Sequence, residues 1–413
     1  MITKKLILLL LTIPLLVVGQ EQGISFEHNT TWEGVKEKAK TENKHIFVDV
    51  FTTWCGPCKW MADNVFPQQE VGEFFNESFV NLKIQMDETE ADSEEVKSWR
   101  EEAKRFAKDY KVVAYPTFLI FNPDGELVHR IVGGGEAEQF IALAKEGLDP
   151  NTQFETLAKK FDANPTDKEI AKATVVAANK AYDRDLLATA LNVVMDNSTE
   201  EELLEEETLE LLVRNVDEPE GKIFTFIRSH KAAVDTQLGD GKSDQVLAEA
   251  ILRYELAPVV MQSETDILEE TIAELEGKYS DISLANTVAG FKPSYYARKK
   301  NWPAFKDAVN AFIDADPSKI HPSQLNSFAW AIFENCDDPA CVESALVWSK
   351  KSLEEIEDAA FIDTYANLLH KLGKTEEAIE WQEKAIAAVE DVDKAEYQAT
   401  LDKMKKGEPT WID

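Results

Sequence analysis

The chain has 413 residues, 44% of them hydrophobic, which fits two or three packed domains and argues against a single ordinary core or disorder throughout. Its 77 acidic against 44 basic residues give a formal net charge of −33, which repels phosphate backbones and anionic membrane surfaces and excludes nucleic acid as an expected partner. Four cysteines are too few for a disulfide scaffold of this length, so their spacing has to explain them.

Met1-Ile-Thr-Lys-Lys5 is basic and Leu6–Val18 is apolar yet short for a membrane span, the pattern of a signal peptide over residues 1–20. Val17 and Gly19 are small enough for a cleavage site, and no cysteine follows that would take a lipid anchor. The expectation is an exported, periplasmic or otherwise extracytoplasmic protein, with no membrane span left after cleavage and with cysteines that can persist as disulfides.

The spacing predicts a helix after Trp32 as far as Lys40, then a buried strand at His45–Phe51, a β-rich and nearly continuous apolar run. A helix continues from the first cysteine pair through Lys59–Val65, Phe79–Met86 is the next strand, and Ser93–Tyr110 is a charged amphipathic helix. Thr117–Phe121 and Leu127–Val132 flank the turn Asn122-Pro-Asp-Gly125 as a hairpin, and Ala137–Glu146 is a closing helix. Alternating strands and helices followed by a hairpin predict an α/β domain over residues 21–148, a central mixed sheet flanked by helices.

From Asn151 onward the patterns are helical, with breaks at Asn164-Pro165, Gly239-Asp-Gly241 and Asp316-Pro317. Residues 149–325 are expected to be all-α without a fixed period. Over 326–413, Ala345-Leu-Val-Trp348 recurs as Ala378-Ile-Glu-Trp381 at an offset of 33 residues, close to the tetratricopeptide period. Ser327-Phe-Ala-Trp330 and Thr364-Tyr-Ala-Asn367 stand in the preceding helices, and Leu372-Gly373 ends one of them. The C-terminal region is therefore expected to be all-α helical repeat.

The chemistry lies in Trp54-Cys-Gly-Pro-Cys-Lys59. Two cysteines three apart, where a buried strand becomes a helix, can close a redox-active disulfide, and the helix N-terminus favours a thiolate on the first. Cys55 is then the attacker, and Cys58, one turn in and expected to be more buried, resolves the mixed disulfide. Gly56 and Pro57 set the tight turn. Half a zinc site would need two further ligands, and neither a second such pair nor a nearby histidine pair supplies them.

Here the sequence resembles the thioredoxin superfamily, over about residues 24–148. The acidic residue that the family carries six positions before the first cysteine is matched by Asp49, which the resemblance makes the buried proton acceptor for Cys58. Lys83 occupies the place of a lysine on the next strand that tunes that acid, with an ordinary strand-edge lysine as the alternative. Tyr115-Pro116-Thr117 matches the proline loop, whose cis bond faces the cysteines, so Trp54, Gly56, Pro57, Tyr115 and Pro116 are the implied substrate-binding residues. The stretch from Asp87 to Pro116 is longer than in a minimal thioredoxin, and Trp32–Lys40 with Asn64-Val-Phe66 is more similar to the exported, interchange branch.

The resemblance implies a protein-disulfide oxidoreductase without cofactor or metal, acting on disulfide-containing or thiol protein clients. Gly-Pro between the cysteines leans toward a reductase, which outside the cytoplasm needs an electron donor such as a membrane thiol protein. The alternative is a client-recruiting scaffold whose helical repeats carry the main activity. Cys336 and Cys341 are expected in a long inter-helix loop, closed there by a structural disulfide, with a second exchange centre, two free thiols or a metal contact as the alternatives. The six histidines show no metal-ligand spacing, and Gly133-Gly-Gly135 lacks the wider dinucleotide pattern.

Overall fold

The strands β1 (His45–Phe51), β2 (Phe79–Gln85), β3 (Thr117–Phe121) and β4 (Leu127–Val132) form one mixed sheet in the order β2-β1-β3-β4. The structure is a computed structural model that describes residues 23–315, 320–354, 358–389 and 394–411. The expected signal peptide and the Asp316-Pro317 break lie outside the described residues. Pairing is parallel between β1 and β2 and antiparallel between β1 and β3 and between β3 and β4. The register sets Asp49 opposite Lys83 on one side and Phe118 on the other.

β1 is central and covered on both faces, so all its inner positions are buried and apolar except Asp49. Side chains alternate across the sheet. Ile46, Val48 and Val50 pack with Trp32, Val35 and Ala39 of α1 (Trp32–Glu42), whose N-terminus Thr31 caps by accepting the Gly34 N–H at 3.2 Å. Phe47 faces the other way, into a cluster with Met61 and Val65, which follow the cysteine-bearing helix α2 (Gly56–Trp60), with Phe75 of α3 (Gln69–Ser78), and with Phe140 of a later helix at Ala137–Glu146. By the same alternation Asp49 shares the face of Phe47.

The helix expected over Ser93–Tyr110 is two helices, α4 (Glu94–Ser98) and α5 (Arg100–Asp109), broken at Trp99. At the break Trp99 has φ −90° and ψ −1° and its N–H turns to the Val96 carbonyl at 3.1 Å, while its ring stays in the core with Ala103 and Phe106. Similarly, the helix after the cysteines continues beyond α2 as one wide turn, Met61–Val65, in which the Phe66 N–H reaches the Met61 carbonyl at 2.9 Å.

α6 (Ala137–Glu146) closes the second face, with Phe140 fully buried. Its ring stacks on Phe75 at 4.8 Å and lies 5.0 Å from Phe118 and 5.7 Å from Phe66. Truncating Phe140 to alanine removes the common neighbour of these rings, and the expected cost is about 3–5 kcal/mol in a denaturant titration.

The helical region does not start as a detached body. α7 (Phe154–Ala163) and α8 (Lys168–Lys180) pack against β4, and α9 (Arg184–Asn197) pairs with α8. The Phe154 N–H, at the start of α7, donates to Nδ1 of buried His129 at 3.1 Å, and Arg130 reaches Glu155 at 3.6 Å. Burial, with a smaller effect from Lys180, pushes His129 down to about 4, so it is a neutral acceptor. The described residues form two compact units that divide between Leu211 and Leu212, so the boundary expected at 148 falls inside the first.

In the second unit, helices Pro322–Asn335 and Pro339–Ser352 pair, as do Ala359–Lys371 and Thr375–Ala388. Ala329, Ala345, Ala366 and Ala378 are all fully buried, so the small residues of the repeat stand where paired helices approach. Among the described residues no helix is long and apolar enough to cross a membrane.

The expected Cys336–Cys341 disulfide is corrected: both residues are buried free thiols. The long loop does not exist. Cys336 caps the end of one helix in an extended conformation, and Cys341 already lies in the first turn of the next, whose cap Asp338 accepts the Ala340 N–H. The helix fixes Cys341 among apolar neighbours, and burial, followed by its hydrogen bond with Cys336, pushes its thiol up to about 12.

Candidate functional site

β1 ends at Phe51, and residues 52–54 turn the chain so that Cys55 becomes the N-cap of α2. The Cys58 N–H donates to the Cys55 sulfur at 3.1 Å, and Pro57 stands in the first turn, where a missing N–H costs nothing. Cys55 and Cys58 are joined as a disulfide with Cα atoms 5.3 Å apart. Trp54 beside them is 69% exposed, whereas Cys55 is 3% and Cys58 6% exposed. The expectation that Cys58 is the more buried is therefore not met. The N-cap geometry folds the Cys55 side chain back over the helix start, where the bond to Cys58 keeps it covered.

Asp49, on the central strand β1, is 2% exposed, with its Oδ2 3.5 Å from the Lys83 ammonium and its Oδ1 without a hydrogen-bond partner. Burial raises its carboxyl to about 6, against the opposing pull of Lys83. The Lys83 ammonium also lies over the rings of Phe26, Phe51 and Phe66 at 5.0–5.3 Å, which fixes its head beside the acid. It lines a cavity of about 140 Å³ together with Phe26, Leu82 and Trp99.

The peptide bond Tyr115–Pro116 is cis, as the sequence implied. Tyr115 packs edge-on against Trp54 with ring centroids 5.9 Å apart, which brings the proline loop to the cysteine turn. Burial, and then the charge of Asp87, raises the Tyr115 phenol. The structure thus brings Trp54 and the Cys55-Gly56-Pro57-Cys58 turn together with Tyr115 and Pro116, and it pairs Asp49 with Lys83 across β1 and β2. Cys336 and Cys341 belong to the other compact unit.

Two groups near the site escaped sequence reasoning. Gly133, at φ 89°, donates its N–H to the Pro116 carbonyl at 2.9 Å, and a Cβ on Gly134 would stand 2.6 Å from the Met61 sulfur. The glycine run that failed as a nucleotide motif therefore braces the proline loop and lies against the cysteine-bearing segment. Asp87 is the second: its carboxylate accepts the Thr53 N–H at 2.9 Å and the Thr53 hydroxyl, two residues before Cys55. The run of consecutive glycines was the only signal for the first, and nothing local marks the second.

A family model for a thioredoxin-like domain matches residues 33–148. Thioredoxin Y from the chloroplast of Oryza sativa subsp. japonica is 31% identical over 119 residues, 29% of this chain and 60% of that protein. Thioredoxin H4 of Arabidopsis thaliana is 30% identical over 124 residues, 30% of this chain and 89% of that protein. Over the first two curated relatives the match spans 60% and 58% of their own length. A solution structure of a proposed disulphide-isomerase from Bacteroides thetaiotaomicron shares 38% identity, covering 32% of this chain and 97% of that one at a TM-score of 0.26.

Proposed function

The chain belongs to the thioredoxin family through residues 33–148, and on that premise we propose that it is an exported thiol-disulfide oxidoreductase that reduces protein disulfides. The observation that carries this reading is the Cys55–Cys58 disulfide at a helix start beside the cis Tyr115–Pro116 loop, in a domain whose central strand also holds a buried, half-satisfied Asp49.

In the reduced form the Cys55 thiolate, which accepts the Cys58 N–H, attacks one sulfur of a client disulfide and releases the other as a thiolate. Cys58 then gives its proton to the Asp49 carboxylate, whose Oδ1 is free to take it, and attacks the Cys55 sulfur. The client leaves with both sulfurs reduced, and the protein holds the Cys55–Cys58 disulfide. A carboxyl near 6 is mostly ionised at neutral pH yet basic enough to accept that proton. Lys83, the partner of Asp49, also lines a cavity of about 140 Å³ with room for a few waters.

The basic Met1–Lys5 and apolar Leu6–Val18 pattern supports export, and a reductase in that compartment takes its electrons from a donor dithiol, for which a membrane thiol protein is the fitting class. The paired helices of the C-terminal region offer the surface that selects clients. The test is reduction of a protein disulfide by the full chain with a dithiol donor. Turnover that Cys55→Ser leaves unchanged overturns the reading.

A further inference from the structure

We propose that Arg100 and Asp92, in the segment that follows β2, are positioning residues of the Cys55–Cys58 site, acting through Asp87 on the turn that carries Thr53 and Trp54. The proposal rests on the redox reading of that site. Asp87 holds Thr53 by two hydrogen bonds, and Asp87 is itself held from behind. One nitrogen of the Arg100 guanidinium donates to the Asp87 main-chain carbonyl and the other to the Asp92 carboxylate. Gln85 Nε2 bridges the same two residues, at 3.1 Å to the Asp87 carbonyl and 2.8 Å to Asp92 Oδ1. Asp92 also accepts the Thr89 N–H and hydroxyl, each at 2.7 Å.

Both oxygens of Asp92 are thereby used, and its side chain is 4% exposed, with that of Arg100 at 15%. Such a cluster has one arrangement that satisfies every member, and it hands that arrangement to Asp87. The planar fork of arginine is what permits it, because two donors on one edge reach a carbonyl and a carboxylate together, and the point charge of lysine does not. The consequence at the site is geometric. Thr53 precedes Trp54, Trp54 sets its edge against Tyr115, and Cys55 follows, so slack in Asp87 loosens the aim of the attacking sulfur. Misplacement by an ångström is worth up to about a hundredfold in rate. The Asp92 carboxyl is held down to about 2, first by the Thr89 N–H and hydroxyl, so the cluster keeps its charge throughout the pH range of a turnover assay.

The experiment uses the full chain with Arg100→Lys and Asp92→Asn, and Glu101→Gln as the surface control, since Glu101 is exposed and pairs with Lys104. Amide hydrogen exchange at Thr53 is expected to quicken about tenfold or more in both cluster variants, as for a lost bond to a charged group, while exchange at Leu119 in β3 stays unchanged. Client reduction is expected to fall about tenfold in kcat/KM. Unchanged Thr53 protection, or wild-type turnover despite lost protection, overturns the proposal. Quickening at Leu119 to the same degree as at Thr53 also overturns it, because it reports general loosening. A wild-type chain without turnover ends the redox reading, and Thr53 exchange alone then decides whether the cluster holds the turn.

Discussion

Cys58→Ser is expected to accumulate a covalent adduct with disulfide-bearing proteins, visible on a non-reducing gel and dissolved by reductant, while Cys55→Ser gives neither adduct nor turnover. The asymmetry follows from the geometry. Cys55 caps the helix and receives the Cys58 N–H, so its thiolate is the stabilised one and it bonds the client. Removing Cys58 takes away only the sulfur that would expel the client, and the mixed disulfide then has no intramolecular exit. Mass spectrometry of the adduct names the client and the cysteine that holds it. Adducts that form equally in Cys55→Ser would reverse the assigned roles, and adducts in neither variant would remove protein disulfides from the substrate class.

The parts of the fold that were legible in sequence are those set by local pattern. β1 at His45–Phe51 and α6 at Ala137–Glu146 occur as expected, because an uninterrupted apolar run and a single amphipathic stripe each have one reading. The helix over 93–110 is expected as one because its charge pattern is continuous and Trp99, Ala103 and Phe106 share a helical face, whereas the tightened turn at Trp99 has no mark in that pattern. The cysteine pair at 336 and 341 was misread for a related reason. A spacing that looks like a loop became a helix start once Asp338 capped it and Pro339 opened it.

Legibility of the site divides in the same way. Cys55, Cys58 and Pro116 sit in motifs, and Asp49 and Lys83 emerge as a pair because the parallel register of β1 and β2 puts them side by side. Asp87, Asp92 and Arg100 have no such signal. Their partners are as far as 34 residues away, and an acidic residue in a chain with 77 of them reads as surface until its hydrogen bonds are seen. Gly133 shows the converse, a visible motif whose purpose is support of a loop.

Asp49→Asn is expected to make the protein more stable and less active, and the pH dependence separates this from ordinary repacking. An unfolded aspartate titrates near 3.9, whereas burial lifts Asp49 to about 6, so the fold binds the proton more tightly than the unfolded chain does. The stabilising contribution of protonated Asp49 is complete below about pH 4 and is lost as the pH rises through about 6. Asparagine stays neutral throughout, and the variant should gain about 3 kcal/mol over the wild type at pH 8 and almost nothing at pH 4. His129 runs the other way. Held at about 4 by burial, it contributes stability above about pH 6.5 that is lost as the pH falls through 4. The two offset each other in the wild type, so Asp49→Asn should also uncover a fall in stability toward acid. In turnover the variant lacks the acceptor for the Cys58 proton, and the resolving step should slow by about a hundredfold, followed as release of a client from its mixed disulfide. A variant that resolves at the wild-type rate would take Asp49 out of the proton path, even if the stability gain were found.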